Sequence, residues 1–294
     1  MSKLIKEVNK KFLVLILFSW LFFIGAIFLA INNYVYLPIE QDTINLFSVG
    51  YISPGQKYFH WLFIIGFFGP LLTYLWSLQE SKSKNKFSIF KIKKVKEYLC
   101  KKKAISLFKF EGLNIHFVIL VALLPLITWG LGFVFDKLLN IDYHVVQYSF
   151  VYLIPLFLFT FITISTAEFG FRKYFLETLL KKKPFLQSSL MVSAMTLVWS
   201  LPYIGYFHFI YGYPSIIFSI IFFSLFYLSL SVILSFIYYD TKNILFTWIA
   251  NAWFYTLYLF SLSAFSNTYT GLIMYAITFV LAAIFFIKYD YKKS

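Results

Sequence analysis

The chain has 294 residues and a formal net charge of +14, and 61% of its residues are hydrophobic while only 13% are charged. A soluble domain of this length cannot bury so much apolar surface, so the composition excludes a soluble globular protein and predicts an integral membrane protein. The single cysteine, Cys100, excludes an intramolecular disulfide and a CxxC metal or redox motif. Heavy use of Phe, Ile, Lys, Asn and Tyr is typical of an AT-rich genome and indicates a low-GC bacterium.

Apolar runs long enough to cross a bilayer follow one another along the whole chain. A hydrocarbon core of about 30 Å requires about 20 apolar residues of helix. The first run follows a basic start but is too long for a signal peptide, and no convincing cleavage site follows it. We therefore predict an all-α integral membrane protein with about eight transmembrane helices, near residues 12–31, 58–77, 115–134, 147–171, 186–210, 215–237, 244–265 and 269–287.

Basic residues are distributed very unevenly between the two sides of this topology. With the N-terminus inside, 24 of the 26 basic residues lie on the cytosolic side, eleven of them in loop 78–112. This asymmetry predicts that both termini are cytosolic and that the protein lies in the cell membrane. The positive charge therefore indicates topology and contact with an anionic inner leaflet, and we expect no nucleic-acid partner. The acidic, aromatic loop 32–57 is the longest predicted outer surface.

One acidic residue lies well inside a predicted span. Glu168 is near the cytosolic end of the fourth helix, and Arg172, the only arginine of the chain, follows at i+4. Residues four apart share a helix face, and a guanidinium can hold a carboxylate through two parallel hydrogen bonds, which an ammonium cannot. Ionisable groups inside a membrane span usually mark function, so the pair is a candidate site. The alternative is an ion pair at a helix end, with Arg172 reaching the interface.

Four short motifs resemble, in order, those of the CPBP family, the CAAX-protease and bacteriocin-processing (Abi) intramembrane proteins. The run AEFGFRKYFLETL resembles the first motif, usually EExxxR, and WSLP at 199–202 resembles the WHLP-type second motif. Residues 238–255, YYDTKNILFTWIANAWFY, resemble the third-motif segment, whose helix normally carries HxxxN. FFGPLL at 67–72 resembles a Gly-Pro pair of the second helix. The resemblance implies three regions: helices one to three in 1–147, a CPBP-like core in 148–265, and a last helix and cytosolic tail in 266–294.

The groups that the resemblance implies for catalysis are missing. In active members it implies a water-activating Glu assisted by two His and an Asn. At the matching positions this chain has Ala167, Ser200, Asn251 and Tyr255. Alanine cannot relay a proton and an asparagine amide does not titrate near neutral pH, so neither can act as a general base. We expect no catalytic residue, no metal and no cofactor at this site.

The retained pair, together with the substituted positions, forms the candidate binding site: Glu168, Arg172, Ser200, Asn251 and Tyr255. Ser and Asn side chains can join membrane helices through hydrogen bonds, so we expect a neutral polar network where the resemblance implies a catalytic site. The favoured function is a degenerate CPBP-like protein, a pseudoprotease that binds a membrane protein, a peptide or a lipid in an immunity or regulatory role.

Two other functions stay open from the sequence. An active intramembrane CAAX-type endopeptidase would need a divergent site, with Glu168 as the base. A transporter or channel subunit is a further alternative, although polar residues are scarce in the predicted spans and no inverted repeat is visible. A metal site on the outer side, built from His60, His144 and His208, is disfavoured, because lone histidines near helix ends usually serve as interfacial polar residues.

Overall fold

The structure, a computed structural model, describes residues 3–33, 62, 64–82, 115–138, 153–211, 216–264, 277 and 280–284. This part of the chain is almost entirely helical and contains no β-strand. A 3₁₀ turn, Ile164–Thr166, and a π-helical segment, Phe169–Leu176, separate the fourth and fifth helices. The α-helices are α1 Lys3–Asn33, α2 Gly69–Lys82, α3 Ile115–Leu138, α4 Leu153–Ile162, α5 Glu177–Leu180, α6 Phe185–Tyr211, α7 Ile216–Thr241 and α8 Ile244–Ala264.

Four described helical stretches are long and apolar enough to cross a membrane. They are Glu7–Phe28, Leu153–Leu180, Phe185–Pro202 and Phe223–Thr241. The prediction of an almost all-helical chain with several helices of spanning length is confirmed. The outward side of α1 fits this class, because large apolar side chains recur along it and are more than half exposed, as expected of a surface that faces lipid; these are Leu13, Leu17, Leu21, Ile24 and Phe28.

The stretch Leu153–Leu180 differs from the bounds predicted for the fourth span. The sequence predicted a helix near 147–171 followed by a loop, whereas the helical path continues through the π segment and α5 to Leu180. Only the turn at 181–184 then separates it from α6. Arg172 therefore lies inside a candidate span, and its side chain is fully buried. Snorkelling of Arg172 to the interface is accordingly wrong for this chain.

Several features named from the sequence lie outside the described residues. They include nearly all of the outer loop 32–57, the basic part of loop 78–112 together with Cys100, most of the predicted last span 269–287, and the C-terminal tail. His60 and His144 also lie outside, whereas His208 belongs to α6.

The most extensive helix contact joins α6 to α7. Small polar residues on the two helices are buried there: Ser189, Ser193 and Thr196 on α6, and Ser231 and Ser235 on α7. Short side chains let membrane helices approach closely and form hydrogen bonds across their interface. This pairing places α7 beside the segment that carries Glu168 and Arg172.

Glycines bring the π segment against α2 and α2 against α1. A Cβ atom added at Gly170 would lie 2.6 Å from Cβ of Pro70, and one at Gly69 would overlap the Ser19 hydroxyl. At Gly170 a larger residue would require a backbone shift, because the Pro70 main chain is also in contact, whereas at Gly69 the Ser19 side chain would have to move. The pair Gly69 and Pro70 thus packs closely between the π segment, which carries Arg172, and α1.

Candidate functional site

The centre of the candidate site is the ion pair between Glu168 and Arg172. Arg172 Nε lies 3.3 Å from Glu168 Oε2, and the side chains are 0% and 4% exposed. A buried charge is costly unless an opposite charge and hydrogen bonds compensate it. The neighbouring helices therefore have to supply the remaining partners of both groups.

The backbone around the pair is not regular α-helix. The α-helical path ends at Thr163, whose φ and ψ are −99° and −89°, and a 3₁₀ turn and the π segment follow. Two threonine hydroxyls donate back to main-chain carbonyls within this break, Thr163 to Phe159 at 2.6 Å and Thr166 to Thr163 at 2.6 Å. Such local bonds compete with helical pairing. π-Helical turns inside helices often occur at functional sites, so the break also indicates a functional site at this position.

Arg172 reaches from the π segment to α7. Its Nη2 atom donates to the Ser231 hydroxyl at 3.0 Å and to the Ser231 carbonyl oxygen at 3.1 Å. The Ser231 hydroxyl also lies 3.3 Å from the hydroxyl of Thr196 on α6. One guanidinium thus links the π segment, α6 and α7. A lysine ammonium could not pair with Glu168 and Ser231 in the same planar geometry.

Glu168 accepts a hydrogen bond from a side chain of α8. Asn251 Nδ2 donates to Glu168 Oε1 at 3.1 Å. Asn251 and the neighbouring Tyr255 are both buried, and the Tyr255 ring lies 6.1 Å from that of Tyr227 on α7. The two carboxylate oxygens therefore face different partners, the guanidinium on one side and an amide on the other. The polar cluster as a whole joins the π segment to α6, α7 and α8.

A small cavity lies within this cluster. It leaves about 10 Å³ for the centre of a water-sized sphere, which is room for about one water molecule. The space is far below the roughly 300 Å³ at which ligand pockets begin. Its wall is formed by Ile164, Ala167, Glu168, Phe171, Arg172, Thr196, Trp199, Tyr227, Leu230, Ser231, Leu234, Asn251 and Tyr255.

Several polar atoms of the cavity wall have no hydrogen-bond partner among the described residues. They are Arg172 Nη1, Trp199 Nε1 and Asn251 Oδ1, whereas Glu168 Oε2 and Arg172 Nε have only the ion pair with each other. These atoms include hydrogen-bond donors and acceptors, so the cavity suits a small group that can both donate and accept hydrogen bonds. A buried polar group without a partner costs about 1–3 kcal/mol, so this cluster is a place where a bound group would be stabilised.

The structure brings together four of the five residues predicted for the binding site, since Glu168, Arg172, Asn251 and Tyr255 all line the cavity, as does Ala167, which was predicted only as a degenerate catalytic position. Ser200 is buried but does not line it, and its hydroxyl donates to the Leu197 carbonyl of its own helix at 2.9 Å. Ser200 follows Thr196 by four residues and therefore shares its side of α6, but it lies one helical turn further along the helix axis. Thr196 and Trp199 are the residues of α6 that line the cavity.

Four lining residues with polar side-chain atoms were missed from the sequence: Thr196, Trp199, Tyr227 and Ser231. A serine inside an apolar span is a weak signal, because Ser hydroxyls in helices usually bond to their own backbone. Trp199 belongs to the WSLP motif, but the family pattern directed attention to the next residue. Which of these side chains face Arg172 depends on how α6 and α7 are rotated against each other.

The chemistry available in the cavity is limited. Its described wall contains one carboxylate, one guanidinium, one carboxamide and two phenols, and no histidine or second acid. Elsewhere among the described residues, no three His, Cys, Asp or Glu side chains converge as a metal site requires. A carboxylate engaged by both an arginine and an asparagine is arranged for holding helices together or for binding.

A second polar cluster lies one helical turn closer to the turn at 181–184. Lys173 Nζ donates to Glu177 Oε1 at 2.8 Å and to the Tyr238 hydroxyl at 3.0 Å. The Tyr238 hydroxyl in turn donates to Glu177 Oε1. This cluster fastens the end of the π segment and α5 to α7, outside the cavity wall.

No protein-family model matches this chain, and no curated protein is significantly similar to it. The site is therefore interpreted from its own geometry.

Proposed function

We propose that the chain is a non-catalytic, CPBP-like membrane protein that acts by binding a membrane protein, a peptide or a lipid, in an immunity or regulatory role. The observation that carries this proposal is the state of Glu168, whose carboxylate is paired with Arg172 and accepts a hydrogen bond from Asn251. A general base has to be able to reach a water and pass on its proton. Ala167 and Asn251 offer no titratable group for that relay.

The proposed protein is a bacterial, multi-pass protein of the cell membrane with about eight spans and cytosolic termini. The four described candidate spans and the excess of lysines in the segments predicted to be cytosolic, eleven of them in loop 78–112, support this topology. The polar cluster fits a binding role because it joins four helical segments and so fixes the shape of the surface that a partner would meet.

The size of the cavity bears on where a partner binds. Room for about one water molecule is too small for a peptide side chain, so a partner either contacts the outside of the helices or separates them. Separation would break the hydrogen bond from Asn251 to Glu168 and those from Arg172 to Ser231, which makes contact on the outside the favoured mode.

Crosslinked co-purification from native membranes tests the proposal. Wild type is compared with Glu168→Gln and Arg172→Lys, and Lys173→Gln serves as a nearby control that leaves the cavity wall intact. We expect wild type and the control to retain a specific, uncleaved membrane partner that both cavity variants lose. Melting temperatures of all four proteins show whether a lost partner reflects a lost fold, and retention of the partner by folded cavity variants would contradict the proposal.

The second candidate is an active intramembrane CAAX-type endopeptidase with Glu168 as the base. The observation that favours it is the water-sized space beside Glu168, whose Oε2 atom pairs with Arg172 and accepts no further hydrogen bond from the described residues. In this case a partner accumulates at full length in the Glu168→Gln variant and is found as fragments with wild type. The same co-purification, read on a gel for partner length, therefore separates the two functions.

A further inference from the structure

Two turns of the chain meet at one end of the helix bundle. The turn at 181–184 joins α5 to α6, and the turn at 242–243 joins α7 to α8. Aromatic rings connect them, because the Phe185 and Tyr239 ring centroids are 4.5 Å apart and Lys242 Nζ lies 4.0 Å from the centroid of Tyr239. We refer to residues 181–185 and 239–243 together as the two-turn surface.

The two-turn surface is basic. Lys181, Lys182 and Lys242 are exposed and Lys183 is half-buried. The main chain of the first turn is ordered by hydrogen bonds from the backbone N–H groups of Lys182 and Lys183 to the Leu179 carbonyl, at 2.9 and 3.0 Å. Four lysines thus project from two short, defined turns.

Acidic groups nearby do not cancel this charge. Glu177 is bound by Lys173 and Tyr238, and Asp240 is the remaining acid beside Lys242. Desolvation by partial burial lowers the pKa of the Lys242 ammonium, with Glu177 and Asp240 raising it and Lys173 lowering it. An anion placed on this surface would favour the charged form of Lys242 and reduce the repulsion between lysines.

The backbone at Lys242 gives a second, independent indication. Its φ is 52°, in the left-handed region, and its N–H donates to the Tyr238 carbonyl at 2.8 Å to close the end of α7. Helices usually end in this conformation with glycine or asparagine, because a Cβ atom is disfavoured there. The Lys242 amine that this conformation presents lies over the Tyr239 ring at the surface.

We propose that the two-turn surface binds the phosphate headgroup of an anionic phospholipid. Candidate membrane spans end at Leu180 and Thr241 and begin at Phe185, so the lysines lie at the level of the headgroups. Tyr239, which is half-buried beside Lys242, is of a residue type enriched at membrane interfaces. The occupant follows from charge complementarity at that depth, and the inference does not depend on the proposed function of the polar cluster.

Titration of the full-length protein in phosphatidylcholine micelles with short-chain phosphatidylglycerol tests this inference. We expect saturable binding to wild type, and binding at least about tenfold weaker to the triple variant Lys181→Gln, Lys182→Gln, Lys242→Gln, because each lysine at a membrane surface contributes to anionic lipid binding. A matched control, Lys288→Gln, Lys292→Gln, Lys293→Gln, removes the same charge near the C-terminus and should bind like wild type. Equal losses in both triple variants would mean a general charge effect and would overturn the proposal.

A second variant remains informative if the triple variant does not fold. Lys242→Gly removes the amine and at the same time relaxes the left-handed backbone, so we expect an unchanged or higher melting temperature in phosphatidylcholine together with about fivefold weaker phosphatidylglycerol binding. Unchanged lipid binding in this variant would contradict the proposal. Inorganic phosphate and a polyglutamate peptide are titrated in parallel, and binding of either as tight as that of phosphatidylglycerol would show that the surface is not a lipid site.

Discussion

Arg172 and Ser231 are joined twice, because one guanidinium nitrogen of Arg172 donates to both the hydroxyl and the main-chain carbonyl of Ser231, at 3.0 and 3.1 Å. The same guanidinium pairs with Glu168 through its Nε atom. This geometry explains why a chain that otherwise uses lysine has its single arginine here. A delocalised, planar cation can meet a carboxylate and a second helix at once, whereas an ammonium is a compact point charge.

Removing the charge of Glu168 should destabilise the protein strongly. The Glu168→Gln variant leaves the Arg172 guanidinium buried without its counter-ion, which costs about 3–5 kcal/mol. We expect a clearly lower melting temperature in a fixed detergent. The double variant Glu168→Gln, Arg172→Met should be less destabilised than the sum of its single variants, because it buries no unpaired charge. Additive losses would indicate that the two side chains do not interact.

Replacing Gly170 should disturb the contact between the π segment and α2. An alanine Cβ there would lie 2.6 Å from Cβ of Pro70, so the backbones have to move apart. We expect Gly170→Ala to cost about 1–3 kcal/mol, as overpacking usually does. Gly130→Ala in α3 is the matched control, since a Cβ at Gly130 meets no heavy atom within 4 Å. Equal melting temperatures for the two variants would contradict the packing described at Pro70.

Trp248 connects α8 to the end of α4 in two ways. Its Nε1 atom donates to the Phe161 carbonyl at 2.7 Å, and its ring stacks on that of Phe161 at 4.2 Å. Carbonyls in the last turn of a helix lack helical partners, so this bond satisfies one of them. Trp248→Phe should keep the stacking and lose about 1 kcal/mol, and Trp248→Leu should lose about 1 kcal/mol more. A leucine variant as stable as the phenylalanine variant would argue against the stacking contribution.

The native Cys100 offers a direct check of the proposed topology. It lies in loop 78–112, which the distribution of basic residues places in the cytosol. We expect a membrane-impermeant maleimide to label it only after the cells are permeabilised. The complementary probe, Ser53→Cys in a Cys100→Ser background, should be labelled in intact cells. The reverse pattern would invert the predicted orientation.

Much of the architecture follows from local sequence properties. Apolar runs of spanning length predict helices because an unpaired backbone is too costly in lipid, and the spacing of Glu168 and Arg172 predicts that they meet on one side of a helix. The break at Thr163 and the π segment were not predicted, because nothing in the local pattern distinguishes them from ordinary helix. They depend on local hydrogen bonds from threonine hydroxyls to main-chain carbonyls. They also depend on the close packing of Gly170 against Pro70, which is distant in the sequence.

The sequence by itself predicted a helical membrane protein with Glu168 and Arg172 paired inside a span, because hydrophobicity and i+4 spacing are properties of the chain alone. The tertiary structure decided which side chains meet that pair. It placed Ser231 and Asn251 against Arg172 and Glu168, and it turned Ser200 toward its own backbone. The reason is that rotation of each helix about its axis is set by packing against its neighbours, and a difference of one residue moves a side chain by about 100°.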